Sequence, residues 1–135
     1  MLVNTPYDDV FKTLLNDCPQ LLIPLVNNVF HEHFTGREKV ISYSNEHFIN
    51  QANGQEKERI TDTFFEINGM VSKKYHLECQ STDDSSMLIR MFEYDAQIAL
   101  DNGEVSNNLL TVHFPNSAVL YLRSTSKTPD TMQVK

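Results

Sequence analysis

Apolar residues in the first third of the chain recur at the three-to-four-residue spacing of amphipathic helices. Thr5 followed by Pro6 is typical of a helix start, and Asp8 completes a variant capping box three residues after Thr5. We expect this helix to end near residue 16. A second helix is predicted from Pro19, with Pro24 either kinking it or shifting its start. Its inward residues are expected to be Leu21, Leu22, Leu25, Val26, Val29 and Phe30.

The middle of the chain changes to the composition of strands. One strand is predicted near residues 40–43. Residues 60–67 and 74–81 are rich in β-branched and aromatic residues, and Asn68-Gly69 between them is a strong hairpin signal. We therefore expect two antiparallel strands here.

A long helix and two more strands complete the predicted order. Residues 84–86 have the composition of a helix cap, and Gly103 marks the end of the helix. Residues 108–112 and 118–123 are predicted strands, joined through Pro115-Asn116. The residues at helical spacing are Met87, Leu88, Met91, Phe92, Asp95, Ile98 and Ala99. This order predicts an α/β (α+β) fold.

Composition fits one domain over residues 1–135, with a loose tail at 124–135. No apolar run approaches the roughly 18 residues of a membrane span, so no membrane partner is expected. Cys18 and Cys79 are expected to be buried thiols rather than a bridge. Because the first five residues lack signal-peptide character, we expect a cytoplasmic location.

The net charge of -7 argues against tight, non-specific binding to nucleic acid, because that affinity comes largely from Lys and Arg neutralising phosphates. It is compatible with a carboxylate metal site, since a bound cation inverts the local charge.

Polar residues on the predicted hairpin indicate metal chemistry. Side chains alternate along a strand, so Glu78 and Gln80 share a face with His76, whereas Cys79 points the other way. That separation argues against a Cys-His nucleophile. If the two strands pair, Asp62 and Glu78 can converge, and two carboxylates are the usual minimum for holding Mg²⁺. Such an ion would activate water for attack on a phosphoryl group.

Four segments in this order resemble the PD-(D/E)XK nuclease superfamily. The match is closest to its branch of recombination-promoting nucleases and PD-(D/E)XK nuclease family transposases. The segments are YDDVFK at 7–12, ITD at 60–62, HLECQS at 76–81 and RMFEYD at 90–95. The resemblance implies a restriction-endonuclease-like fold, in which helices flank a central mixed β-sheet.

The resemblance also implies roles for the hairpin residues. Asp62 and Glu78 would bind Mg²⁺, or Mn²⁺ as a substitute, and the backbone carbonyl of Cys79 would complete the protein ligands. Gln80 stands where the core family has lysine. A neutral amide can orient the attacking water, but it offers no positive charge to the transition state.

Four residues outside the hairpin match the family as well. Asp8 or Asp9 resembles an extra acidic residue beside the metal, although Asp8 is also explained as a helix cap. Arg90 and Tyr94, one helical turn apart, would touch phosphate or support the site. Equally, Arg90 could pair with an acidic neighbour on its helix, and Tyr94 could lie at the edge of the core.

The implied function is a metal-dependent DNA endonuclease associated with recombination or transposition, with DNA as partner and a homodimer as an open alternative. Members of this branch usually continue past the length of this chain, so we expect a version shortened at its C-terminus. The alternative function is a catalytically inactive PD-(D/E)XK-like module that binds nucleic acid or protein. The negative charge, the replaced lysine and the shortness favour that alternative.

Overall fold

The computed structural model describes Thr13 and residues 16–43, 63–80, 86–123 and 126–135. Thr13 and Asn16 of the predicted first helix are helical, as is Asp17 just after its predicted end, and the other residues of that helix lie outside the described part.

The described elements give a mixed α/β architecture. A 3-10 turn at Pro19–Leu21 leads into helix α1, Leu22–Phe30, and helix α2 spans Met87–Asp101. The strands are β1 (Lys39–Tyr43), β2 (Thr63–Asn68), β3 (Ser72–Gln80), β4 (Glu104–Ser106), β5 (Leu109–Thr111) and β6 (Asn116–Tyr121).

Four of these strands form a mixed sheet in the order β1-β2-β3-β6. Antiparallel pairing of β2 with β3 confirms the predicted hairpin, in which Asn68 lies opposite Ser72 and Thr63 opposite Leu77. Strand β1 adds to β2 antiparallel, and β6 adds to β3 parallel. The parallel pairing places β3 inside the sheet, between β2 and β6.

Helix α1 covers one face of the sheet and forms the apolar core with it. Within that core the rings of Phe65 and Tyr75 stack at 5.7 Å between centroids. Pro24 lies in the first turn of α1, where backbone N–H groups have no intrahelical acceptor, so it is accommodated there. The buried cluster comprises Leu22, Ile23, Val26, Phe65, Ile67, Tyr75 and Leu77.

The prediction that Leu21 points inward is wrong, because this side chain is 44% exposed. The α-helix begins only at Leu22, and Leu21 belongs to the tighter 3-10 turn before it. A 3-10 turn has three residues per turn, so a residue within it does not follow the phase of the helix after it.

Helix α2 lies against the opposite face of the sheet, where its side chains reach β3. Its start at Met87 and its end just before Gly103 agree with the prediction. Phe92 is exposed and stacks on Phe114 instead of entering the core. The buried residues of α2 are Met87, Met91, Tyr94, Ile98 and Ala99.

The strand predicted at 108–112 does not join the main sheet. It is present as β5 and pairs antiparallel with β4. Neither β4 nor this pairing was predicted. Asn107 and Asn108 connect the two strands with positive φ angles of 52° and 63°. Consecutive positive φ values at Asn are typical of tight hairpin turns.

The two cysteines are not joined by a disulfide, but the predicted burial is wrong for Cys18, which is exposed, while Cys79 is half-buried. Residues 126–135 contain a turn and no helix or strand. None of the helices described is long and apolar enough to cross a membrane.

Candidate functional site

The described part of the predicted metal site lies near the C-terminal end of β3. Glu78 and Gln80 share the strand face that turns toward α2, and Cys79 lies on the face turned toward α1. Glu78 is only 7% exposed, whereas Gln80 is half-buried. The sheet therefore presents one nearly buried carboxylate beside an accessible amide.

Asp62, Asp8 and Asp9, the other predicted metal ligands, lie outside the described residues. The described part of β2 begins at Thr63, whose partner on β3 is Leu77. In the sequence, the predicted ligand Asp62 comes directly before Thr63, and Glu78 comes directly after Leu77.

A buried histidine connects Glu78 to helix α2. His76 is 0% exposed, and its Nε2 lies 3.3 Å from Oε1 of Glu78. Its Nδ1 lies 2.8 Å from Oδ1 of Asp95 on α2. Ser117 on β6 donates its hydroxyl to the other oxygen of Asp95, Oδ2, at 2.7 Å. We refer to His76, Glu78, Asp95 and Ser117 as the His76 network.

Each ring nitrogen of His76 faces a carboxyl oxygen, Nδ1 that of Asp95 and Nε2 that of Glu78. A doubly protonated ring donates a hydrogen bond from both nitrogens and so suits this arrangement. Burial lowers the pKa of His76, but the hydrogen bonds to Asp95 and Glu78 outweigh it and raise the pKa to about 9 from 6.5. The network then holds two carboxylates and one imidazolium, which leaves a net negative charge.

Tyr94 fixes the ring of His76 from the side of α2. The two rings meet edge to face, with centroids 5.9 Å apart, and Tyr94 is 5% exposed. In register, Phe64 on β2 and Ser117 on β6 flank His76 within the sheet. Tyr94 therefore supports the network by packing at the edge of the core.

Arg90 lies one turn before Tyr94 on α2 and is half-buried. Its Nη2 donates to Sδ of Met87 at 3.7 Å.

Asp95 and Ser117 are members of the site that sequence reasoning missed. Asp95 stands among the apolar residues at helical spacing, and an acidic residue on the inward stripe of a helix requires a polar partner. His76 lies inside an apolar strand and likewise requires a polar partner. Those two signals could have linked the residues, whereas nothing in the sequence points to Ser117.

The geometry around His76 does not fit nucleophilic catalysis by Ser117 or Cys79. The Ser117 hydroxyl donates to Asp95 rather than to the imidazole, and Cys79 faces away from His76. Both arrangements lack the direct nucleophile-to-base hydrogen bond that such catalysis needs.

Glu78 has the chemistry of a metal ligand but needs further donors. Its Oε1 contacts His76, and no hydrogen bond among the described residues involves Oε2. Within the same residues, no three His, Cys, Asp or Glu side chains form a metal-binding group. A complete Mg²⁺ site therefore requires the oxygen donors predicted outside them.

Comparisons with protein-family models, with curated proteins and with solved structures give no match. The PD-(D/E)XK resemblance consequently rests on the four sequence segments.

Proposed function

We propose that the protein is a Mg²⁺-dependent endonuclease that hydrolyses phosphodiester bonds in DNA through a PD-(D/E)XK site on a restriction-endonuclease-like fold. The observation that carries this proposal is the placement of Glu78. Its carboxylate is nearly buried, shares a strand face with Gln80, and contacts an imidazole that also contacts a second, half-buried acid, Asp95. Because two carboxylates face one imidazolium, an additional cation would be electrostatically favoured at this end of β3.

The proposal requires Asp62 to lie opposite Glu78, one pair beyond the described pairing of Thr63 with Leu77. Directly opposed residues of an antiparallel pair point to the same face, with Cβ atoms about 4.5–5.5 Å apart. Carboxylates in that relation can share one cation. Asp8 or Asp9 would add a further oxygen donor from the N-terminal segment.

In the proposed site Asp62, Glu78 and the carbonyl of Cys79 hold the ion. When bound, Mg²⁺ supplies Lewis-acid polarisation of the phosphoryl oxygen and lowers the pKa of water. Gln80 orients the attacking water through its amide. Because that amide is neutral, it stabilises developing negative charge less than a lysine would. We assign Arg90, at the start of α2, to a phosphate contact.

Nicking of supercoiled plasmid tests this proposal. We expect nicking with Mg²⁺ or Mn²⁺, none in EDTA, and none by Asp62→Ala with either ion. The matched control is Asp101→Ala, which removes an exposed acid from the far end of α2 and should leave nicking unchanged. Circular dichroism establishes that both variants fold. Nicking by Asp62→Ala at the wild-type rate would refute the proposal.

Gln80→Lys tests the role of the replaced lysine. It restores the positive charge of the core family, so we expect faster plasmid nicking at the same Mg²⁺ concentration. Gln80→Met has a similar length and no charge or amide, and it should nick more slowly than wild type. Equal rates in all three proteins would exclude Gln80 from the reaction.

The second candidate function is an inactive module that binds nucleic acid or protein. It is favoured by the amide in the lysine position together with the net charge of -7. Calorimetry separates the candidates, because the nuclease should bind Mn²⁺ at millimolar concentration and the inactive module should not. The nuclease proposal also includes DNA as the substrate, pairing of two copies and a cytoplasmic location. Sedimentation with and without DNA tests the binding of DNA and the pairing of two copies.

A further inference from the structure

We propose that His76 and Asp95 form a positioning pair that holds the Glu78 carboxylate in the orientation needed to bind a divalent cation. This inference rests on the proposed function, because it assigns a role toward the ion that Glu78 would hold. It adds two residues to the site that neither the metal-ligand pattern nor the family resemblance assigns.

His76 is completely buried. With no exposed surface, its ring cannot touch a substrate in solution, so any effect on chemistry must pass through the groups that it contacts. Its hydrogen-bond partners are Glu78 on its own strand and Asp95 on α2. His76 is therefore a link between the helix and the carboxylate.

Asp95, at the far end of this link, is fixed by its own contacts. Both oxygens of Asp95 are engaged, Oδ1 by the ring of His76 at 2.8 Å and Oδ2 by the hydroxyl of Ser117 at 2.7 Å. The edge of Tyr94 restrains the same ring. Asp95 is thus anchored to β6 as well as to α2, and it holds the imidazole at a defined angle.

His76 contacts only one of the two carboxylate oxygens of Glu78. Nε2 of His76 donates to Oε1, and no hydrogen bond among the described residues uses Oε2. One oxygen is oriented, and the other can serve as a ligand. Hydrogen bonds of this kind to metal-binding carboxylates typically change metal affinity about 10–100-fold when they are removed.

A purely structural role makes a different prediction. As a buried cross-link between α2 and the sheet, the pair would stabilise the fold without affecting the affinity of a folded protein for metal. Affinity measured well below the unfolding temperature therefore separates positioning from stabilisation.

The test is calorimetric titration of Mn²⁺ into the whole chain. We expect the Kd for Mn²⁺ to rise about 10–100-fold in Asp95→Ala. Asp95→Asn keeps an oxygen acceptor for Nδ1 but loses the charge, so a smaller rise is expected. Val26→Ala is the matched control, because it removes core volume on the opposite face of the sheet and should keep the wild-type Kd.

The outcomes are distinct. If Asp95→Ala does not fold, Asp95→Asn decides, and a Kd for Mn²⁺ equal to that of wild type overturns the inference. A second outcome has three parts: wild type binds Mn²⁺, Glu78→Gln does not, and both Asp95 variants bind it as wild type does. In that case the positioning role fails while the proposed function stands. Absence of Mn²⁺ binding by wild type overturns both.

Discussion

Raising the pH should destabilise the metal-free protein through His76. The folded state raises the pKa of His76 from 6.5 to about 9, because hydrogen bonds to Asp95 and Glu78 outweigh the effect of burial. A group with a raised pKa stabilises the fold fully below its unfolded pKa, and this contribution is lost as the pH rises through the folded value. At about 1.4 kcal/mol per pKa unit, the loss between pH 6.5 and 9 is on the order of 3 kcal/mol.

Urea unfolding in EDTA, followed by circular dichroism at pH 6, 8 and 10, measures this loss. With a typical urea dependence of about 2 kcal/mol per molar, the midpoint should fall by on the order of 1.5 M across this range. His76→Gln removes the titrating group, so its stability should vary less with pH. His113→Gln removes an exposed histidine and should follow wild type. Equal pH dependence in wild type and His76→Gln would show that His76 does not cause the loss of stability.

Three further predictions concern the fold around the site. Phe65→Ala empties a fully buried position stacked on Tyr75 and should cost about 3–5 kcal/mol in urea unfolding, whereas a loss below about 1 kcal/mol would contradict the assigned core. Ser117→Ala removes the hydroxyl that donates to Asp95 and should cost about 1.5–3 kcal/mol, and an unchanged unfolding midpoint would argue against that hydrogen bond. Asn108→Val places a β-branched residue at a φ of 63° and should speed amide exchange in β4 and β5, while Asn108→Gly should not. Equal amide exchange in the two variants would contradict the turn geometry.

Local signals explain why the sequence predicts so much of the fold. The β2–β3 hairpin depends on Asn68-Gly69 between two β-rich segments, and helix α2 on a long apolar stripe that ends before Gly103. Strand β4 and its pairing with β5 escaped prediction, because β4 has only three residues, all of them exposed, and so shows no alternation of buried and exposed positions. Only the Asn107-Asn108 pair signalled a turn.

Pairing between distant segments could not be predicted. Strand β6 is apolar enough to be recognised as a strand. Its pairing with β3, however, aligns Tyr75 with Asn116, and the whole of α2 lies between these two residues in the sequence. The sequence contains no marker of that register. The same crossover brings Ser117 to Asp95, which is why this member of the site was missed.

For the candidate site, strand periodicity predicted the shared face of Glu78 and Gln80, because alternation is a local property. The contact between His76 and Asp95 depends on how α2 packs on the sheet, and sequence spacing does not fix that packing. The convergence of Asp62 with Glu78 stays a prediction, because Asp62 lies outside the described residues.

Anomalous diffraction of Mn²⁺ in crystals of the wild-type protein tests the proposed metal site directly. We expect one manganese peak between the carboxylates of Asp62 and Glu78, with metal–oxygen distances of about 2.1 Å, as in Mg²⁺ sites. The peak should be absent in crystals of Glu78→Gln. If the carboxylates of Asp62 and Glu78 are too far apart to share one ion, and neither binds manganese, the proposed metal site is wrong.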